Sequence, residues 1–147
     1  MARATFPIQV RFYELDPYGH VNHSTYLQYF EAARVAWLGE IGHGLDVLQE
    51  QGTQLVVTAV ATRFVASALL NDNLTIDTAM VHARRVRAQW AQHAWRGDEV
   101  IACQRINFAT VKLSGRPVRI PESLLDAMAG FQADEAVLAK ELPDLAL

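Results

Sequence analysis

From Ser24 to Ile41 the chain is apolar on nearly every side of a helix. Tyr26, Leu27, Tyr29, Phe30, Ala32, Ala33, Val35, Ala36, Trp37, Leu38 and Ile41 leave only Gln28, Glu31 and Arg34 as a narrow polar stripe. A helix of that kind belongs inside a protein, so the rest of the chain has to wrap it. Thr25 with Gln28 three positions on fits a capping box, and Asn22 or Ser24 are alternative caps. "GHG" at 42–44 supplies the stop. At 147 residues the expectation is one domain over 1–147, with a core at about 5–120 and a helical extension at 121–147.

What surrounds the helix reads as strands. Residues 5–13, "TFPIQVRFY", set Phe6, Ile8, Val10 and Phe12 against Pro7, Gln9, Arg11 and Tyr13, a period of two. After a weaker helical stretch at 45–51 come "QLVVTAVATRFVAS", then "LTIDTAMVHA", "RVRAQWAQHAW" and "VIACQRINFATVKL". Turn signals at "LNDN", "RGDE" and "SGRP" separate or end them. Tight turns imply antiparallel neighbours. Pro121 is expected at the first position of a short helix, while the tail after Phe131 reads equally as helix or frayed end. The fold class is therefore α+β, an antiparallel sheet wrapped around one long central helix. The helix's outer side needs a further cover, and a second subunit provides it.

Several functions are disfavoured at once. A net charge of −3 does not suit general nucleic-acid binding. No apolar run approaches the roughly 18 residues of a membrane span, and "MARATFPIQV" lacks the long apolar stretch of a secretion signal; a cytoplasmic location is expected. Cys103 is the only cysteine, which removes internal disulfides and multi-cysteine metal sites. The charge is uneven, however. Residues 84–119 carry seven arginines and Lys112 against only Asp98 and Glu99, a basic surface suited to a compact polyanion such as a nucleotide diphosphate.

The loop before the helix concentrates the chemistry. In "DPYGHVNHS", 16–24, Asp16 is stiffened by Pro17, Gly19 frees the turn, and the loop feeds a helix N-terminus with unsatisfied N–H groups. Such a terminus suits the oxyanion formed when a carbonyl is attacked, and a carboxylate before it suits a nucleophile or a base for water. An Asp in this position also serves simply as a cap or turn residue. Asp16, His20 and His23 contain metal-binding donors, but their spacing has no established ligand geometry; no metal and no cofactor is expected.

The run "VRFYELDPYGHVNHSTYLQYFEAAR", Val10 to Arg34, resembles the signature of hotdog-fold acyl-CoA thioesterases of the 4-hydroxybenzoyl-CoA thioesterase type. The resemblance lies in an aromatic-ended first strand, Glu14 two before the Asp, D-x-x-G-H-V-N-H, then Tyr26 and "YFEAAR". It implies a hotdog fold over residues 5 to about 120 and hydrolysis of an acyl thioester. Asp16 would be the catalytic nucleophile or general base, with backbone N–H groups at His23 and Ser24 polarising the carbonyl. Asn22, Tyr26, Glu31 and Phe64 are the expected substrate contacts. Arg84, Arg85, Arg87 and Arg116, chosen by charge, are expected to hold CoA phosphates. The resemblance also implies homodimers pairing to tetramers, with sites at the subunit interface. Leu15 and Ser67 depart from common family residues, which leaves the acyl specificity open. An acyl-carrier protein in place of CoA, or a non-catalytic acyl-CoA-binding domain, are the alternatives.

Overall fold

A computed structural model describes residues 3–142 and 145–147. Five strands form one antiparallel sheet: β1 (Ala4–Gln9), β2 (Gln54–Phe64), β3 (Asn73–Arg84), β4 (Arg87–Arg96) and β5 (Glu99–Val111), in the order β1-β3-β4-β5-β2. The long helix α1 (His23–Glu40) packs on one face, followed by short α2 (Leu45–Glu50). Two later helices, α3 (Glu122–Ala129) and α4 (Glu135–Glu141), complete the chain. The expected α+β arrangement of an antiparallel sheet around one long helix is the observed one. Among the described residues no helix is long and apolar enough to cross a membrane.

Several boundaries differ from the sequence reading. The first strand ends at Gln9, and Phe12–Glu14 forms a 3-10 turn. Alternation holds through Val10, but Phe12 is 75% exposed. Arg11 and Glu14 close this turn by backbone and side-chain hydrogen bonds, which compete with extended backbone. Asn22, rather than Thr25, caps α1. Pro121 sits at the cap of α3, one position before its first residue. The tail, left open by its sequence, folds into α4, where Asp134 caps Ala136 and Val137.

Nor is α1 enclosed on all sides. Thr25, Tyr26, Tyr29, Phe30, Ala33, Trp37 and Leu38 are buried, whereas Leu27 and Val35 remain more than 40% exposed beside Glu31. Arg34, read as part of the narrow polar stripe, is turned into the sheet. Its Nη1 donates to Gln92 Oε1 at 2.9 Å and to Gln104 Oε1 at 3.0 Å. Those glutamines belong to a cross-strand row, Thr78, Gln92, Gln104 and Thr62, whose members lie opposite one another on β3, β4, β5 and β2. Gln92 Nε2 donates to Thr78 Oγ1 and to the Phe30 carbonyl, and Gln104 Nε2 donates to Thr62 Oγ1.

This polar row divides the core. Trp37, Leu38, Trp90, Ile106 and Phe108 pack on one side of it. On the other lie Tyr29, Phe30, Ile76, Ala94 and Ile101. Burial pushes the Arg34 guanidinium down to about 10, an effect that Glu31 only partly opposes. Replacing Arg34 with Leu strands two buried amide oxygens, each costing about 1–3 kcal/mol when unsatisfied. Arg34→Leu is therefore expected to lower the urea midpoint by the equivalent of about 2–4 kcal/mol, measured by equilibrium unfolding. An unchanged midpoint would show that Arg34 does not carry the row.

Candidate active site

Three anchors place the loop before α1. Glu14, buried, accepts from the Tyr29 hydroxyl at 2.7 Å and from the Arg11 amide at 2.8 Å. Burial, then Glu14 itself, pushes the Tyr29 hydroxyl well above its ordinary value, so it stays a donor. The Asn22 amide donates to the Glu14 carbonyl and the Val21 amide to that of Ala68, which ties the loop to the β2–β3 connection. Inside the loop, the Asp16 amide donates to the His20 carbonyl at 2.7 Å and the Gly19 amide to that of Asp16 at 3.0 Å. Gly19 has φ +80, a left-handed conformation that costs other residues about 1–2 kcal/mol.

The two oxygens of the Asp16 carboxylate differ in their partners. Asp16 Oδ1 accepts from the amides of Tyr18 at 2.8 Å and His20 at 3.1 Å, which fixes the carboxylate in an Asx turn. Oδ2 takes no hydrogen bond from a described residue. Asp16 lines a cleft of about 320 Å³ with His20, Val21, His23, Tyr26, Phe64 and residues 65–67. One oxygen thus holds the loop, and the other is left for chemistry.

The helix start supplies the complementary donor. Asn22 Oδ1 accepts from the Ser24 amide at 3.0 Å and from the Ser24 hydroxyl at 2.8 Å, and the Thr25 amide donates to the Asn22 carbonyl. The His23 amide, by contrast, has no described acceptor. Of the two N–H groups singled out in the sequence, the cap occupies that of Ser24 and leaves that of His23 available. It lies at the positive end of an 18-residue helix.

Phe64 and Tyr26 form the cleft's apolar wall. Their ring centroids lie 5.4 Å apart, and the His23 ring meets Phe64 edge-on at 6.5 Å. Tyr26 is buried, and its hydroxyl accepts from the Ala68 amide; burial pushes its pKa up. Ser67 lines the same cleft, so the departure noted in the sequence falls at the site. Among the described residues, no three His, Cys, Asp or Glu side chains converge as a metal site. A hollow of about 390 Å³ beside α2 is roomier, but none of its lining residues, from Leu45 to Val56, is titratable.

Other expected residues lie elsewhere. Glu31, two turns along α1, lines a separate cavity of about 220 Å³ with Arg34, Val35, Leu38, Leu55 and Trp90. Arg84, Arg85 and Arg87 are exposed at the β3–β4 hairpin, and Arg116 in the loop after β5; Ile120 bonds to the Arg85 carbonyl and joins the two loops. This basic end is the opposite end of the sheet from Asp16: the loop meets β3 near Asn73, and Arg84 lies about 36 Å further along the strand. Two residues at the Asp16 end of the sheet were not singled out as site residues. Glu14 anchors the loop, as described. Arg96 donates to the Ser67 carbonyl, Asp72 and Glu99 and braces the cleft's far wall. Glu14 belongs to the signature but was given no role of its own, and Arg96 does not differ by local pattern from an ordinary surface charge.

Comparison with known proteins identifies the family. The model of the thioesterase-like superfamily matches residues 10–128. Acyl-CoA thioesterase YbgC of Haemophilus influenzae is 27% identical over 122 residues, covering 82% of this chain and 90% of that protein. The chloroplastic acyl-acyl carrier protein thioesterase ATL3 of Arabidopsis thaliana is 26% identical over 133 residues, covering 88% of this chain and 70% of ATL3. The crystal structure of a Bartonella henselae protein described as a probable thioesterase superposes with a TM-score of 0.77 at 26% identity, covering 82% of this chain and all of that one. With a match across most of its length, the loop and helix that build the cleft included, the chain belongs to the thioesterase-like superfamily.

Proposed function

We propose that the chain hydrolyses acyl-CoA thioesters to a free acid and CoA, with Asp16 as the reacting carboxylate. The observation that carries this reading is the pairing of a free Asp16 Oδ2 with the unoccupied His23 amide at the edge of one cleft. A thioester carbonyl oxygen held by the His23 N–H presents its carbon to Asp16. The carboxylate then either attacks it, giving a mixed anhydride and a thiolate that water later resolves, or takes a proton from the attacking water. One such N–H contributes about 3 kcal/mol to the transition state. Oxygen-18 from solvent entering Asp16 in a single turnover separates the two routes. The relative named as an acyl-CoA thioesterase supports the choice of substrate.

The test is a panel of short, long, branched and aromatic acyl-CoAs with thiol release as the readout; no hydrolysis of any would overturn the proposal, and tight binding without turnover would favour an acyl-CoA-binding role. A second reading, acyl-carrier protein as donor, is favoured by the basic end of the sheet and by the similarity to ATL3. Comparing acyl-CoA with acyl-carrier substrates decides between them.

The proposed unit is a homodimer through β2. That strand is a sheet edge with Val56, Val57 and Val60 all more than 40% exposed, beside the uncovered Leu27 and Val35 of α1, a surface that invites strand pairing. A two-fold antiparallel pairing of β2 reverses the second sheet, bringing the basic end of one copy to the same side as the cleft of the other. Arg84, Arg85, Arg87 and Arg116 then serve the CoA phosphates of the neighbouring site. Val57→Lys, which puts a charge on that edge, is expected to give monomers in sedimentation at micromolar concentration and at least a tenfold rise in KM for acyl-CoA. A Val57→Lys protein that remains dimeric, or a wild-type monomer, would reject this interface; a tetramer would register in the same run.

A further inference from the structure

The proposed chemistry leaves one buried charged cluster unused, on the sheet face away from α1. Asp77, His93 and Cys103, all buried, and the exposed Arg63 at their edge are cross-strand neighbours across β3, β4, β5 and β2. The C-terminal part of the chain, beyond the family-matched residues, lies over them. Leu138 of α4 packs with Ala79, Val81, Ala91 and Ala133. Gln89 Nε2 donates to the Leu145 carbonyl at 2.8 Å and Arg87 Nη1 to that of Leu147 at 3.2 Å; Asn107 Nδ2 donates to that of Ala146.

Glu141 is the point of attachment. Its carboxylate meets His93 Nε2, and its carbonyl accepts from Arg63 Nη1 at 2.9 Å. The other ring nitrogen, Nδ1, lies 3.0 Å from Asp77 Oδ1, and Arg3 and Trp95 each donate to Asp77 Oδ2 at 2.8 Å. Ionised carboxylates carry no proton to give, so a ring bonded to two of them must hold both protons and a positive charge. The groups facing His93 are therefore Asp77 from β3, Glu141 from α4, Arg3 from the N-terminal residues, Arg63 from β2 and the Cys103 thiol from β5. Arg63 directly precedes Phe64, so the latch stands behind the apolar wall of the Asp16 cleft.

We propose that α4 and residues 145–147 form a strap across the outer face of the sheet, latched by a protonated His93 held between Asp77 and Glu141, and that loss of that proton releases it. Burial alone would lower the His93 pKa, but the hydrogen bonds and charges of Asp77 and then Glu141 outweigh it and hold it above the ordinary histidine value. The sign follows. A raised native pKa gives stabilisation that is complete below the unfolded value and lost as pH rises through the native one, so the strap is closed in mild acid and opens in alkali.

Hydrogen exchange read by mass spectrometry on the full-length protein tests this, from about pH 6, below the ordinary histidine value, to about pH 9. After correction for the intrinsic rise in exchange with pH, amides of 136–142 should lose about tenfold in protection per unit of raised pKa, with residues 61–66 loosening alongside and the centre of β4 unchanged. Glu141→Gln, on the strap and outside the sheet, should exchange at the open level at every pH; His93→Gln should do the same if it folds. Equal strap protection at both pH values, or a Glu141→Gln profile matching the wild type, would overturn the latch. The result is independent of whether Asp16 is the catalyst.

Discussion

Asp16→Asn is expected to cut kcat for acyl-CoA hydrolysis by about 10³–10⁴-fold, at the upper end of what a positioned base or nucleophile supplies, with the melting temperature unchanged. The asymmetry of the two carboxylate oxygens makes this variant informative. Asn keeps an Oδ1 able to accept from the Tyr18 and His20 amides, so the Asx turn that shapes the loop survives. It replaces Oδ2 with an amide nitrogen, which neither attacks a carbonyl nor takes a proton from water. Asp16→Ala removes both functions and loosens the loop as well, so it cannot separate chemistry from shape. Because deamidation would restore the native residue, each preparation needs an intact-mass check. An Asp16→Asn protein free of Asp that keeps most of its turnover would remove this carboxylate from the reaction.

How much of this was legible in the sequence depends on the range of the forces involved. The strands, turns and long helix are local patterns, and they lie where hydrophobic period and turn chemistry put them. The first strand was read too long because Phe12 continues the alternation, while the Arg11–Glu14 hydrogen bonds that break it leave no trace in a two-residue period. The partners of Arg34 were missed for the opposite reason. On the helix it reads as one more polar position, and the two glutamine oxygens that draw it inward lie 58 and 70 residues away in sequence. Asp16, His23, Tyr26 and Phe64, named from the resemblance, line one cleft where the loop meets the end of the edge strand β2. The four arginines were chosen by charge, and charge carries no information about which end of a sheet it occupies.

The largest expected loss of stability comes from Trp37→Ala, about 3–5 kcal/mol. Trp37 is 1% exposed and fills the half of the core beyond the Arg34 row, its ring centroid 5.0 Å from that of Trp90 and 5.4 Å from that of Phe131. Truncation to Ala therefore opens a cavity among large side chains on both sheet and helix, where little can collapse to fill it. At about 2–4 °C per kcal/mol for a chain of this size, the melting temperature should fall by roughly 10 °C. The indole Nε1 of Trp37, however, is buried with no hydrogen-bond partner among the described residues, and an unsatisfied buried donor costs about 1–3 kcal/mol. Trp37→Phe removes that donor while retaining much of the ring, so the two effects offset and the variant should melt within a few degrees of wild type. Thermal unfolding of both variants checks this: similar, large losses in each would mean that ring shape, not the stranded N–H, dominates at this position. Since the polar row separates this half of the core from the Asp16 cleft, both variants should keep wild-type turnover per folded molecule at temperatures well below their transitions.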